Sequence, residues 1–279
     1  MAKRYELSDE AWAVVADLFT ETHGRGRPRL SDRLMLDGVL WVLRSGAAWR
    51  DMPERFGPWS TVYQRFRVWR KQGTFDQMLI RLHLRFNEQG LIDLQTWMID
   101  STAVRATRAS SGAGKKGGPD EPADHALDRS RGGLTTDANG TPLHFLLSGG
   151  QASDISYAQP LLDEVSILLS QRDRPRKRCK WLLADKGYDA EALRRYCDRY
   201  RMQPVIPLRS MKRNPKPGLP RLFDRPKYRQ RNIIERMFDW LKENRRIVTH
   251  FDKLAKSYAA MVSLACSMRC LRHLFSYRT

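Results

Sequence analysis

The sequence predicts a mixed α/β fold that follows an all-α, helix-turn-helix-like domain. The first 90 residues form amphipathic helical patterns separated by Gly and Pro turns. Beyond them, two short apolar runs typical of buried strands end in Asp100 and Asp185. A hairpin signal at 137–140 and alternating helical segments complete the α/β pattern. We therefore predict two domains, at 1–90 and 91–279.

The chain is strongly basic, with a net charge of +19 that falls mostly after residue 90. This balance favours a nucleic-acid partner, although basic surfaces also bind anionic membranes. We find no apolar stretch that would span a bilayer and no apolar signal core after the charged start, so we expect a soluble cytoplasmic protein. The four cysteines predict buried, reduced thiols rather than a disulfide framework or a metal site.

Three main helices are predicted in the N-terminal domain. Ser8 and Ser31 are suited to cap the first two, and the third runs from Ser60 through Lys71. One face of the third helix is apolar and carries Val62, Phe66 and Trp69. The opposite face carries Gln64, Arg67 and Lys71. This arrangement predicts either a DNA-reading helix or a plain bundle with a solvated basic face.

The second domain is predicted from alternating strand and helix patterns. In chain order these are strands 95–99, 143–147, 181–184 and 204–207, and helices 159–169, 189–200 and 253–275, with a Gly- and Ser-rich loop at 109–124 and a basic, Pro-rich stretch at 208–227. The two strands that end in Asp100 and Asp185 would bring their carboxylates to one edge of a sheet.

A polar stripe is predicted on a single helix from Tyr228 to Lys242. At 100° per residue, Tyr228, Arg231, Glu235 and Lys242 share one narrow face about 21 Å long, opposite an apolar face. Such a length suits a polyanionic strand lying along the helix. Arg231 and Glu235 alone would also fit an ordinary surface ion pair, so the full spacing is what distinguishes the two interpretations.

The pattern Tyr228-x2-Arg231-x3-Glu235-x6-Lys242, following Asp100 and Asp185, resembles the DDE transposases of bacterial insertion sequences, in the IS4/IS5 grouping. Ile99-Asp100-Ser101-Thr102 and Ala184-Asp185-Lys186-Gly187-Tyr188-Asp189 agree with it, as does 129–136, and the resemblance looks most like the IS5 branch. It implies a ribonuclease H-like catalytic domain behind a DNA-binding module. It also implies a homo-oligomer on paired terminal inverted repeats, and hence association with the bacterial nucleoid.

Three carboxylates without His or Cys partners favour a hard cation, Mg²⁺ or Mn²⁺. We therefore assign Asp100, Asp185 and Glu235 as metal ligands and catalytic residues. The resemblance implies that Tyr228, Arg231 and Lys242 contact the DNA backbone. The N-terminal module adds Gln64, Arg67 and Lys71 as DNA contacts. The expected activity is metal-dependent cleavage and strand transfer. The alternatives are a nuclease without transposition and an impaired relic that only binds DNA.

The hairpin raises the question of impairment. Only Leu134 to Thr136 separate Gly133 from the turn, whereas relatives continue with a longer apolar strand. A short strand would loosen the sheet beside Asp100. Alternatively, an upstream segment such as His125 to Leu127 shifts register and fills the gap.

Overall fold

The computed structural model describes residues 6–19, 30–105, 107, 129–149, 154–170, 174–209 and 223–276. The chain divides into two units, the first comprising 1–82, 104–130 and 240–279 and the second comprising 83–103 and 131–239. Several predicted features lie outside the described residues: the Gly24–Pro28 break, the 109–124 loop, the 125–127 segment and most of the basic stretch at 208–227.

The secondary structure follows a helical start, a strand-rich middle and a helical end. In chain order the elements are α1 (Asp9–Val15), α2 (Asp32–Ser45), α3 (Trp59–Gln72), α4 (Thr74–Glu88), β1 (Thr96–Arg105), β2 (Arg129–Asp137), β3 (Pro142–Gly149), α5 (Asp154–Glu164), β4 (Trp181–Leu183), α6 (Glu191–Arg199), β5 (Gln203–Val205), α7 (Arg225–Arg229), α8 (Asn232–Lys242), α9 (Arg245–Thr249) and α10 (Ala255–Ser276). No helix among the described residues is long and apolar enough to cross a membrane.

The three N-terminal helices agree with the sequence prediction. The Ser8 hydroxyl accepts a hydrogen bond from the backbone N–H of Ala11 at 3.2 Å, which caps α1 as predicted. Ser31 precedes α2 without a side-chain capping bond. Helix α2 ends at Gly46, whose φ of +70° is the left-handed conformation that favours glycine at this position.

Helices α2 and α3 pack closely, and Gly38 lies where α2 approaches α3 and the segment that leads into it. A Cβ at this position would lie 3.0 Å from the Met52 sulfur and 3.3 Å from a Val62 methyl. The core of this unit also contains aromatic rings. The centroid of the Trp69 ring lies 4.9 Å from that of Phe19 and 6.3 Å from that of Phe75, in both cases with the rings edge to face. Burial of such rings is a large part of what holds a helical unit together.

Helix α10 belongs by packing to the first unit, which differs from the predicted boundary at residue 90. It contacts α3 and α9, and its middle turns carry fully buried residues such as Met261, Leu264 and Cys266. A helix that is apolar nearly all round requires partners on several sides. The N-terminal helices provide these partners, so the end of the chain folds together with its beginning.

The second unit is built on a five-stranded sheet with the order β3-β2-β1-β4-β5. β1 pairs with β4 in parallel, and β4 pairs with β5 in parallel. The four-residue connection from β2 to β3 makes that pair an antiparallel hairpin, so the sheet is mixed. Helix α5 contacts β3, and α6 contacts β5 and α5. This arrangement confirms the predicted mixed α/β class.

The prediction of a shortened hairpin is wrong. β2 spans Arg129–Asp137 and is as long as its partner Pro142–Gly149. Two glycines, Gly132 and Gly133, lie within β2 rather than before it, so the strand extends upstream of the stretch that the sequence pattern marked. Gly133 lies close to α5, where a Cβ would be 3.3 Å from a Leu161 methyl. The close packing of the sheet against α5 explains why small residues occur here.

The hairpin turn is organised by Asp137, which is buried. Its carboxylate accepts hydrogen bonds from the backbone N–H groups of Asp93, Asn139 and Thr141 at 2.7, 2.9 and 2.7 Å. Burial raises the pKa of Asp137 to about 7, although these three donors act in the opposite direction. Asp137 therefore fastens the turn to the segment that enters β1.

Three other predicted elements differ in their bounds. Helix α5 is Asp154–Glu164 rather than 159–169, because Ile167 forms an isolated bridge with Arg176 instead of continuing the helix. β1 continues to Arg105, although burial is complete only over its first four residues. The apolar pattern therefore identified the buried half of β1 and missed its exposed half. Helix α6 begins at Glu191 with Ala190 at its N-cap position, so Asp189 is not the N-cap residue that the sequence predicted.

Candidate active site

Asp100 and Asp185 follow the buried parts of two neighbouring parallel strands. The register pairs Trp97 with Leu182 and Met98 with Leu183. Two more residues along each chain lead to Asp100 and Asp185. Neighbouring strands are about 4.8 Å apart, and in-register residues of parallel strands face the same side. The sheet thus brings the two predicted aspartates to adjacent positions, although Asp100 lies within β1 and not at its end.

The backbone turn after β4 fixes the Asp185 carboxylate. The Gly187 N–H donates to Asp185 Oδ1 at 2.7 Å, and a Cβ at Gly187 would lie 2.7 Å from the same oxygen. Arg209 holds the turn from outside: its backbone N–H donates to Asp189 at 2.7 Å, and its guanidinium donates to the carbonyls of Lys186 and Gly187 at 3.0 Å. The role of Arg209 could not be predicted from the sequence, because this residue lies in a basic stretch with no distinguishing pattern.

Arg231 bonds to two of the three predicted catalytic carboxylates, Asp100 and Glu235. Its Nη1 donates to Asp100 Oδ2 at 3.1 Å, and its Nη2 donates to Glu235 Oε1. The Arg231 and Asp100 side chains are 17% and 20% exposed, whereas Glu235 is 52% exposed. Partial burial by itself lowers the pKa of Arg231, but the carboxylates of Glu235 and Asp100 and the adjacent Tyr228 raise it above its usual value overall.

The predicted single helix from Tyr228 to Lys242 is wrong in its first part. Helix α7 ends at Arg229 and α8 begins at Asn232. The backbone N–H of Arg231 bonds to the Tyr228 carbonyl, and that of Ile234 bonds to Arg231, so tight i to i+3 turns replace the α-helix here. Tyr228 still lies beside Arg231, whose guanidinium carbon is 5.8 Å from the ring centroid.

The remainder of the stripe agrees with the prediction. Glu235 and Lys242 are both exposed on α8 and lie seven residues apart, which returns to nearly the same helix face. The apolar side of α8 is buried through Ile234, Met237 and Leu241. This division between faces is what the hydrophobic periodicity predicted.

The three carboxylates suit a divalent metal by their chemistry. Oxygen ligands without thiols or imidazoles match Mg²⁺ or Mn²⁺. Among the described residues, no group of three acidic, His or Cys side chains is close enough to hold one ion. Instead, the Arg231 guanidinium bonds to both Asp100 and Glu235. A metal ion that binds Asp100 Oδ2 or Glu235 Oε1 would therefore compete with Arg231 for that oxygen.

The first unit carries a separate candidate surface on α3. Val62, Phe66 and Trp69 are buried, as predicted. Gln64, Arg67 and Lys71 are exposed on the opposite side, where Arg67 donates to the Gln64 side chain at 3.3 Å. Val68 is also 43% exposed, so the face combines polar, basic and apolar groups, as base-reading helices do.

Comparison with known proteins identifies both parts of the chain. Residues 94–270 match the family described as "Transposase DDE domain", and residues 7–79 match "Putative transposase of IS4/5 family". The matched segments lie on either side of the predicted domain boundary. No solved structure matches the chain.

Individual relatives agree with the family matches. A "Putative transposase for insertion sequence element IS402" from Burkholderia cepacia is 34% identical over 155 residues, covering 56% of this chain and 68% of the relative. An "Uncharacterized protein y4sN" from Sinorhizobium fredii is 40% identical over 114 residues, covering 40% and 86%. A "Putative transposase for insertion sequence element IS6501" from Brucella ovis is 29% identical over 136 residues, covering 49% and 93%.

The fold, the twin aspartates on neighbouring strands and the two family matches lead to one conclusion. Residues 94–270 form the ribonuclease H-like DDE domain, whose members depend on divalent cations, and a helical region precedes it. The chain is an enzyme that acts on DNA, and it belongs to the DDE transposases of the IS4/IS5 type.

Proposed function

We propose that Asp100, Asp185 and Glu235 are the catalytic carboxylates of this transposase and that they bind Mg²⁺ or Mn²⁺. The observation that supports this most directly is the parallel register of β1 and β4, whose last pair, Met98 and Leu183, lies two residues before Asp100 and Asp185. Glu235 is linked to the same place because Arg231 bonds both to it and to Asp100.

The chemistry of the site is phosphoryl transfer on DNA. Asp100, Asp185 and Glu235 would hold the divalent ions, which would supply activation of a water or a 3′-hydroxyl and stabilisation of the leaving oxygen. The protein also supplies the positive charge of Arg231, which would offset charge on the phosphate as the new P–O bond forms and the old one breaks. Arg231 bonds to Asp100 and Glu235 and would transfer to a phosphate when DNA binds.

Two groups of residues are proposed to contact DNA. Tyr228, Arg231 and Lys242 would bind the backbone near the scissile phosphate. Gln64, Arg67 and Lys71 on α3 would recognise the terminal inverted repeats, with the short stretch 47–56, the turn at Gly57-Pro58 and α3 acting together as the helix-turn-helix. Exposure of all three α3 side chains, opposite a buried apolar face, supports this assignment.

The experiment that tests the catalytic assignment uses Asp100→Asn, Asp185→Asn and Glu235→Gln. Each should abolish cleavage and joining of a terminal-repeat duplex while leaving binding intact, because these groups hold metal rather than DNA. Glu243→Gln is the matched control, since Glu243 is exposed on the chain just after α8 and carries the same chemistry. Near-normal cleavage by any of the three variants removes that residue from the site.

The same assay separates transposition from the alternatives. Metal-dependent joining of the cut ends to a target supports the transposase. Nicking without joining favours a nuclease, and binding without either reaction favours a DNA-binding relic. The family matches and the complete hairpin favour neither alternative.

Recognition has its own test. Gln64→Ala should relax sequence preference more than it weakens overall binding, because base contacts specify the sequence. Lys71→Ala should weaken binding to all duplexes and reduce the salt slope by about one. If neither variant changes footprint or affinity, the exposed face of α3 has no role in DNA binding.

We also propose that the protein acts as a homo-oligomer on paired element ends and resides on nucleoid DNA. The net charge of +19 supports general DNA affinity. Light scattering of the protein with and without terminal-repeat duplexes tests the assembly: a single protomer on two joined ends contradicts it.

A further inference from the structure

A cleft in the first unit joins the end of α3 to the start of α10. Its volume is about 490 Å³. It is lined by two short stretches, one around the turn between α3 and α4 and the other on the first turns of α10: Arg70, Lys71, Gly73, Phe75, Asp76, Lys256, Ala259 and Ala260. The cleft therefore brings together residues that are almost 200 positions apart in the sequence.

The lining of this cleft is cationic. Arg70, Lys71 and Lys256 face a single acidic residue, Asp76, whose carboxylate already accepts a hydrogen bond from the Ser263 hydroxyl. The lining contains no His or Cys, and one carboxylate is too few for a metal site. The chemistry that matches is an anion bound by several cations.

Two features make the cleft a built surface rather than a chance group of lysines. The Arg70 guanidinium donates to the Ser257 hydroxyl, so α10 fixes the orientation of this arginine. Gly73 has a φ of +70°, and a Cβ built on it would meet no atom within 4 Å, so the turn leaves the space beside it open. Lys71 and Lys256 are exposed on either side.

The cleft continues the exposed face of α3. Gln64, Arg67 and Lys71 lie along that face, and Lys71 also lines the cleft. Gln64 and Lys71 are seven positions apart, which corresponds to about 10 Å of helix. A helix whose middle lies against base edges has its ends close to the flanking phosphates, and contacts to phosphates set the register of the protein on the duplex.

We propose that this cleft binds a phosphodiester of the DNA backbone next to the bases read by α3, with Lys71 and Lys256 on either side of the phosphate and Arg70 held beside it. The inference rests on the proposed role of α3 in DNA binding. It adds a contribution from α10, which lies in the segment matched by the DDE domain family. Residues near the end of the segment matched by the DDE domain family thereby take part in binding to the element ends.

The test uses Lys256→Ala in the full chain, with Lys253→Ala as the matched control. Lys253 is exposed three residues earlier, before α10 begins, and does not line the cleft. Affinity for a terminal-repeat duplex and for an unrelated duplex is measured over a series of salt concentrations. Lys256→Ala should weaken both by a similar factor, roughly 8-fold at 0.1 M salt, and reduce the salt slope by about one. Lys253→Ala should change neither quantity.

The outcomes distinguish this inference from the proposed role of α3. If Gln64→Ala and Lys71→Ala alter binding but Lys256→Ala behaves like Lys253→Ala, the inference about the cleft is overturned and α3 keeps its role. If none of the four variants alters binding, both fail. Calorimetry with inorganic phosphate separates the two sources of this ligand chemistry: if Lys256→Ala loses phosphate binding while DNA affinity is unchanged, the cleft holds a free anion only, and this also overturns the proposal.

Discussion

Removing Arg231 should make the transposase bind metal more tightly in the absence of DNA. This guanidinium bonds to both Asp100 and Glu235. A divalent ion bound to Asp100 Oδ2 or Glu235 Oε1 would compete with these bonds, and an ion bound to the second oxygen of either carboxylate would still lie close to the positive charge. Arg231→Ala removes the competition and also the repulsion between the guanidinium and the ion. The direction of the change therefore follows from the geometry alone.

The expected gain in metal affinity follows from the exposure of the two ion pairs that Arg231 forms. The pair with Glu235 is half exposed on the carboxylate side and contributes at most about 1 kcal/mol. The pair with Asp100 is less exposed, with both side chains near one-fifth, and a charged hydrogen bond there contributes about 1.5 kcal/mol. Because the ion displaces only part of each pair, a net gain of about 2 kcal/mol, roughly 30-fold in Kd, is expected.

Titration of Mn²⁺ into the DNA-free protein by calorimetry measures this affinity. The control is Arg236→Ala, which removes the same charge from an exposed position on α8. Addition of terminal-repeat DNA should reduce the difference in Mn²⁺ affinity between the wild type and Arg231→Ala, because the guanidinium then binds a phosphate instead of the carboxylates. If Arg231→Ala binds Mn²⁺ no more tightly than Arg236→Ala does, Arg231 does not restrain the carboxylates and the reasoning is refuted.

Three further predictions concern the supports of the site and the sheet. Gly187→Ala should lower the cleavage rate roughly 10- to 100-fold without loss of DNA binding, because the new Cβ would displace the Asp185 carboxylate. The control is Gly132→Ala, whose Cβ would make an ordinary contact at 3.9 Å. Equal cleavage rates for the two variants would contradict the prediction. Asp137→Asn should lower the free energy of unfolding by about 2–4 kcal/mol in urea titrations, since its amide faces N–H donors; unchanged stability would show that the turn does not depend on the carboxylate. Burial lowers the pKa of His83 to about 4, so this residue contributes stability that is present above pH 6.5 and is lost as the pH falls toward 4. His83→Gln should remove up to about 3 kcal/mol of the pH dependence of the free energy of unfolding. If this free energy changes with pH in the same way for the variant and the wild type, the assignment is wrong.

The class of fold and the candidate site residues could be predicted from local patterns in the chain. Apolar runs that end in Asp100 and Asp185 mark buried strands, since burial on both faces removes the alternation of polar residues. The periodicity of α3 and α8 separated buried from exposed side chains, because the 3.6-residue repeat assigns each position to a face. These properties depend on neighbours a few residues away, so they can be read from the chain directly.

Other features of the protein depend on contacts between residues that are far apart in the sequence. The length of β2 follows from pairing with β3 and packing against α5, which overrides the weak strand propensity of Gly132 and Gly133. The break between α7 and α8 places Arg231 in a turn, where its side chain reaches Asp100, 131 residues earlier. Helix α10 belongs to the first unit because it packs against α3, almost 200 residues earlier, and against α9. Each of these outcomes is set by contacts that bring separated segments together, and no local pattern records them.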